Sequence, residues 1–324
     1  MRFAWTEEQL AFRDAARDLL GKECQPAVVR AAWDAPAGAL DRGVWDSLDA
    51  MGVLSILVPQ LQGGLGLDDC FLVPILEESG RVALPHPIVD TAAVAAPLGV
   101  TGRMVATDLG GPLVTCAADV DWFLLSAGSS LVLLDAAAVE VRTEATVDRA
   151  RRAGEVSWSP RDGTVVTDDP GAVARAFDRG VVGTAAQLCG LARTMLDLTV
   201  DYVAERKQFG VPVGSFQAVK HHLANALLAL EFATPAVARA AWSLATGADQ
   251  PTRERDASMA KALATDAALA CGRAALQCHG AIGYTVEHDL HLFLKRSWAL
   301  SRIWGDRALH ADRVAGALGL EERP

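Results

Sequence analysis

The chain has 324 residues, 51% of them hydrophobic and 6% aromatic, enough for two or three domains with substantial cores. Its formal net charge of -10, with no basic stripe to offset it, excludes a nucleic-acid partner but not a small anionic ligand held by local cations. No run of about 18 to 20 uninterrupted apolar residues occurs, so no membrane insertion is expected, and the opening Met1-Arg2-Phe3-Ala4-Trp5-Thr6-Glu7-Glu8 lacks a signal-peptide core, which makes the cytoplasm the expected location.

Thr6 with Gln9 forms a capping box, and Phe12, Ala16, Leu19 and Leu20 supply the apolar stripe of a first helix ending near Cys24. Further helical pieces are predicted around Arg42 to Met51 and Cys70 to Ser79. Between them Gly63-Gly64-Leu65-Gly66 reads as a turn between packed helices, because no Gly-Lys-Ser/Thr follows to make it a phosphate loop. From Met104 to Thr167 the periodicity shortens. The runs Leu113-Val114-Thr115, Trp122-Phe123-Leu124-Leu125, Leu131-Val132-Leu133-Leu134 and Val139-Glu140-Val141 suit short strands of a small antiparallel sheet. From Pro170 onward the chain reads as four helices: Ala172 to Glu205, Ser215 to Ala245 with Ser215 as its cap, Thr252 to His279, and Val286 to Leu318, the last interrupted near Gly305. Helices of about 30 residues, roughly 45 Å long, joined by short turns make a bundle. The expected fold is α+β and mostly α, with an N-terminal helical domain over 1–100, a reduced β domain over 101–169 and a C-terminal four-helix bundle over 170–324.

The corner between the first two bundle helices reads Tyr202-Val203-Ala204-Glu205-Arg206-Lys207-Gln208-Phe209-Gly210. A guanidinium offers a planar fork of donors to phosphate oxygens, an amide donates and accepts, and a phenyl ring packs on an aromatic ligand. Arg206, Gln208 and Phe209 are therefore fit to hold a dinucleotide; a solvated helix end with a cation at its C-terminus is the plainer alternative. Cys24, Cys70, Cys116, Cys189, Cys271 and Cys278 show no CxxC spacing and sit mostly among apolar neighbours, which suits buried free thiols. The adjacent His221 and His222, and the pair His288 and His291, lack a clear third ligand set, so no metal site is expected. Trp298 and Trp304 read as packing residues.

Three blocks in order resemble the acyl-CoA dehydrogenase family. Tyr202-Val203-Ala204-Glu205-Arg206-Lys207-Gln208-Phe209-Gly210-Val211-Pro212-Val213-Gly214-Ser215-Phe216-Gln217 looks like its signature, Gln277-Cys278-His279-Gly280-Ala281-Ile282-Gly283-Tyr284 is similar to its Q-x-x-G-G-x-G-Y segment, and Gly63-Gly64-Leu65-Gly66 after Pro59 resembles its N-terminal glycine loop. The resemblance covers both helical ends well and the middle poorly. It implies FAD as cofactor, an acyl-CoA thioester as substrate and an electron-transfer acceptor. It also implies α,β-dehydrogenation, in which a carboxylate takes the α-proton while the flavin accepts the β-hydride. Arg206, Gln208, Phe209 and Gln217 would meet the pyrophosphate and adenine end of FAD, with Gln277, Gly280 and Ala281 as further contacts. Ala281 stands where the family pattern has glycine.

The flavin-seating motifs of the family's middle domain are missing, so this domain is not expected to seat an isoalloxazine ring. The base is missing too. The segment Arg302-Ile303-Trp304-Gly305-Asp306 puts Gly305 at the usual glutamate position, and Gly180 matches the alternative one on the helix before the corner. Asp306 lies one residue off, about 100° round a helix, and Asp178 two residues off, about 200° round, which makes Asp306 a weak candidate base. The pattern resembles the short subunits of heteromeric actinobacterial acyl-CoA dehydrogenases, paired as α2β2 with a longer homologue that supplies glutamate and flavin seat. The alternatives are a structural subunit or pseudoenzyme without cofactor, and a stand-alone dehydrogenase using Asp306 or Asp178.

Overall fold

The computed structural model describes residues 4–320. Four helices open the chain: α1 (Glu7–Glu23), α2 (Pro26–Asp34), α3 (Gly43–Ala50) and α4 (Asp69–Arg81). The capping box is present at α1, where the Thr6 hydroxyl accepts from the Gln9 amide and the Gln9 side chain accepts from the Thr6 amide; Cys24 closes the same helix. α2, which begins on Pro26, was not predicted. A buried π-helical turn, Val89–Ala95, leads into the sheet.

The strands are β1 (Val105–Thr107), β2 (Trp122–Ala127), β3 (Ser130–Asp135), β4 (Glu140–Thr143), β5 (Gly154–Ser157) and β6 (Thr164–Thr167). The main sheet has the order β1-β2-β3-β6, with β4 and β5 as a separate pair. The expectation of a purely antiparallel sheet is corrected in one pairing, since β1 runs parallel to β2. The cause is local: the amides of Asp121 and Trp122 both donate to the Met104 carbonyl, so the chain re-enters beside β1 in the same direction. Leu113-Val114-Thr115 forms no strand and contributes only a bridge from Val114 to Gly154.

The bundle is α5 (Pro170–Glu205), the short strands β7 (Lys207–Gln208) and β8 (Val211–Pro212), α6 (Gln217–Ala245), α7 (Gln250–His279), α8 (Leu290–Leu300) and α9 (Arg307–Ala317). Asp169 caps α5 through the amides of Gly171 and Ala172, and Asp249 caps α7 through Thr252. The last helix is interrupted near Gly305 as expected, because Trp304 and Gly305 take left-handed backbone angles (φ 57° and 88°) and Asp306 starts α9 anew as its cap. One expectation is corrected here. Ser215 does not cap α6; it sits in a 3-10 turn with its hydroxyl donating to the Pro212 carbonyl at 2.7 Å. All six cysteines are free, five buried and Cys278 partly so.

Candidate functional site

α5, α6 and α7 pack on one another and are joined by short turns, so successive helices run antiparallel. The end of α5, the start of α6 and the end of α7 therefore lie together. At this end the chain makes a tight hairpin: β7 pairs with β8 across Phe209 (φ 53°) and Gly210 (φ 82°), the two left-handed residues that a type I′ turn requires. The Arg206 amide donates to the Tyr202 carbonyl at 2.9 Å, and the Val213 amide to the Arg206 carbonyl at 2.8 Å. The hairpin projects Phe209, 91% exposed, edge-on to Phe216 at 6.1 Å.

Beyond α7 the chain turns through Gly280–Tyr284. Tyr202 stacks on His279 at 4.5 Å and 16°, which fixes the end of α7 beside the end of α5. The structure thus brings Arg206, Gln208, Phe209 and Gln217 to the same end of the bundle as Gln277, Gly280 and Ala281, and all seven are exposed. No side-chain hydrogen bond or ion pair engages Arg206 among the described residues. That end presents a cation, amides and aromatic faces, which is the donor set a dinucleotide's phosphates and rings need.

Gly180 and Gly305 are both closed by neighbouring side chains. A Cβ on Gly180 would lie 2.3 Å from Trp304 Cζ3 and 2.4 Å from two more ring atoms. A Cβ on Gly305 would lie 2.7 Å from Leu309 Cδ2 and 2.8 Å from His310 Nε2. Trp304 is 1% exposed, and its backbone is pinned: its amide donates to Gly110 O at 2.8 Å, and its carbonyl accepts from His310 Nε2 at 2.8 Å. Lys261 Nζ donates to Gly305 O at 3.2 Å. Sequence reasoning placed Trp304 among packing residues. That it fills the space beside Gly180 was not legible from spacing, because Gly180 lies on another helix.

Neither nearby carboxylate is placed as a base. The exposed Asp306 accepts from the Leu309 amide at 3.0 Å, and this cap holds its carboxyl below the usual range. Asp178 is fully buried and accepts from Arg253 Nε at 2.7 Å and an Arg313 Nη at 2.5 Å. Of the two carboxylates offered for a stand-alone dehydrogenase, Asp306 is engaged as a helix cap and Asp178 as a buried brace.

Behind Trp304 lies an internal cavity of about 30 Å³, lined among others by Asp90, Arg151, Thr184, Arg296 and Ile303. Arg296 pairs with Asp148 and donates to Leu84 O at 2.7 Å, and Arg151 donates to Thr115 Oγ1 at 3.0 Å. Burial pushes the Asp90 carboxyl up to about 7. Such a space admits a water or two, not an isoalloxazine ring or an acyl chain. His221 and His222 are exposed, His291 packs edge-on to Trp33 at 5.2 Å, and no group of three potential metal ligands meets among the described residues.

Burial pushes the Lys261 ammonium from its ordinary 10.5 down to about 7, with Asp306 acting against the shift. Between those values the unfolded chain binds a proton that the native chain lacks, so stability rises with pH. Above about pH 8 the climb fades and then reverses, because burial pushes Cys24, Cys70 and Cys271 up from 9.0 to about 12 and the unfolded thiols ionise first. Urea unfolding is expected to show stability climbing by roughly 1 kcal/mol between pH 7 and 8. Lys261→Met should flatten that climb; an unchanged slope would assign it to another group.

The family model for the acyl-CoA dehydrogenase N-terminal domain matches residues 6–104, and that for the C-terminal domain matches residues 171–319. The chain belongs to the acyl-CoA dehydrogenase family, whose members are FAD-dependent flavoproteins. It is 31% identical over 304 residues to acyl-CoA dehydrogenase IpdE2 of Mycobacterium tuberculosis, covering 90% of this chain and 91% of that protein. Among solved structures it is similar to the ChsE4-ChsE5 complex from M. tuberculosis (TM-score 0.87, 21% identity, all of both chains). It is also similar to the Tcur3481-Tcur3483 steroid ACAD G363A variant (TM-score 0.85, 23% identity, 98% of this chain and 99% of that one).

Proposed function

We propose that this chain is the non-catalytic subunit of a heteromeric FAD-dependent acyl-CoA dehydrogenase, assembled as α2β2 with a longer homologue in the cytoplasm. One observation carries the reading: both base positions are glycines closed by Trp304, Leu309 and His310, while the Arg206 corner and the Gln277–Ala281 block stay exposed together. When bound, FAD supplies the hydride acceptor of an α,β-dehydrogenation. The partner brings the glutamate and the ring seat. Here Arg206 would meet the pyrophosphate with its guanidinium fork, Gln208 and Gln217 would donate from their amides, and Phe209 would cover an aromatic face. Gln277 and the backbone of Gly280 and Ala281 would complete the contact. The similar ChsE4-ChsE5 and Tcur3481-Tcur3483 structures support a two-component assembly, and the five buried free thiols suit a reducing compartment.

Coexpression with a longer homologue carrying an intact glutamate is expected to yield one FAD per pair of unlike chains. Arg206→Ala should lower flavin content and turnover of that complex about tenfold or more, since a charged hydrogen bond to phosphate is lost. Unchanged flavin content would favour the purely structural subunit. An active, yellow homo-oligomer of this chain alone would refute both.

A further inference from the structure

The two exposed blocks at the cofactor-facing end belong to different helices. What joins them is a cluster of three rings. Tyr202, one turn before Arg206 on α5, stacks flat on His279, the last residue of α7, at 4.5 Å. His288, on the segment leading into α8, stands edge-on to both, 4.6 Å from His279 and 6.2 Å from Tyr202. We propose that Tyr202, His279 and His288 are positioning residues, a clasp that holds the Arg206 corner and the Gln277–Ala281 block in one register so that a dinucleotide meets them as a single surface.

The hydrogen bonds orient each ring. His279 Nδ1 donates to Ala275 O at 2.9 Å, which leaves Nε2 as a buried acceptor without a protein partner. Protonation of that nitrogen is opposed by burial and by His288, so the ring stays neutral and free to stack. His288 Nδ1 accepts from the Leu290 amide at 3.1 Å, tying the third ring to the start of α8. Tyr202 is joined to the corner through its backbone, because its carbonyl receives the Arg206 amide. Rotation of either helix end would unstack the pair, so the orientation of the guanidinium on α5 and that of the turn after α7 are not independent.

The purpose of the clasp rests on the proposed nucleotide grip, but its existence is tested without nucleotide, by amide hydrogen exchange on the full chain. Tyr202→Ala, a change on α5, is expected to speed exchange about three- to tenfold in residues 280–289 as well as in 206–213, the size an aromatic stack supports. His279→Ala should do the same from the other side. Tyr202→Phe keeps the ring and should match the wild type. Loosening confined to the substituted helix, or equal damage from Tyr202→Phe, overturns the clasp. In the assembled complex Tyr202→Ala should lose flavin on dialysis while Tyr202→Phe retains it; equal retention overturns the positioning role. Failure of the grip itself is read separately, in the flavin content of Arg206→Ala, a variant that leaves the three rings untouched.

Discussion

Gly180→Glu, which places a carboxylate at one of the two positions proposed for the base, is expected to destabilise the protein by about 3–5 kcal/mol rather than to create an enzyme. The new Cβ would stand 2.3–2.4 Å from three atoms of the Trp304 ring, well inside van der Waals contact. The ring cannot retreat. On one side Gly110 is so close that its own added Cβ would lie 3.0 Å from Trp304 Cε2, on another Phe177 packs at 5.8 Å, and the backbone of Trp304 is bonded at both its amide and its carbonyl. Either α5 shifts or the indole is expelled, and a carboxylate is left in an apolar setting in both cases. Urea denaturation measures the loss. The double variant Gly180→Glu/Trp304→Ala should be more stable than the sum of its parts, because the ring that clashes has gone. Full additivity would mean that the two positions are not coupled, and a Gly180→Glu protein as stable as the wild type would mean that the indole swings freely.

This coupling explains which parts of the site were legible in the sequence. Capping chemistry and helical period are local, so the Thr6–Gln9 box and the extents of α5 and α7 could be read directly. The corner was legible because Arg206, Gln208 and Phe209 lie within four residues of one another. The sheet was less so: its parallel pairing depends on the carbonyl of Met104 receiving two amides from 121 and 122, a contact with no signature in composition. Ser215 had the right residue type for a cap, but the preceding Pro212 carbonyl took its hydroxyl. The clasp and the Trp304 filler each join residues more than 70 positions apart, and nothing in a single sequence reports such separations. Glycine at 180 and at 305 was visible; the reasons, the buried indole at one and the left-handed turn against Leu309 and His310 at the other, were not.

Asp178→Ala is the second large effect expected, and it separates a brace from a base. If Asp178 were a poised catalytic carboxylate, its removal would leave stability nearly unchanged. In the structure it joins three helices: from α5 it accepts from Arg253 of α7 and from Arg313 of α9, with side-chain exposures of 0%, 6% and 18%. Arg313 also lies over the Phe177 ring at 5.2 Å. An arginine cannot shed its charge on burial, so deleting the carboxylate leaves the Arg253 guanidinium uncompensated and Arg313 with only the 4.0 Å approach to Glu254, at a cost of about 3–5 kcal/mol. α9 should suffer first, since its remaining ties at this point are the 4.0 Å approach of Arg313 to Glu254 and the packing around His310. Amide exchange over 307–317 should rise in Asp178→Ala before the core strands β2 and β3 are affected. Replacing Asp178 and Arg253 together, Asp178→Leu with Arg253→Leu, should recover part of the loss, because it removes the more deeply buried of the two guanidinium groups along with the carboxylate. Because α9 also carries His310, which pins the Trp304 carbonyl, the brace and the filled base site are one construction: releasing α9 should raise the exposure of Trp304 to a fluorescence quencher, and a Trp304 that stays shielded in Asp178→Ala would show the two to be independent.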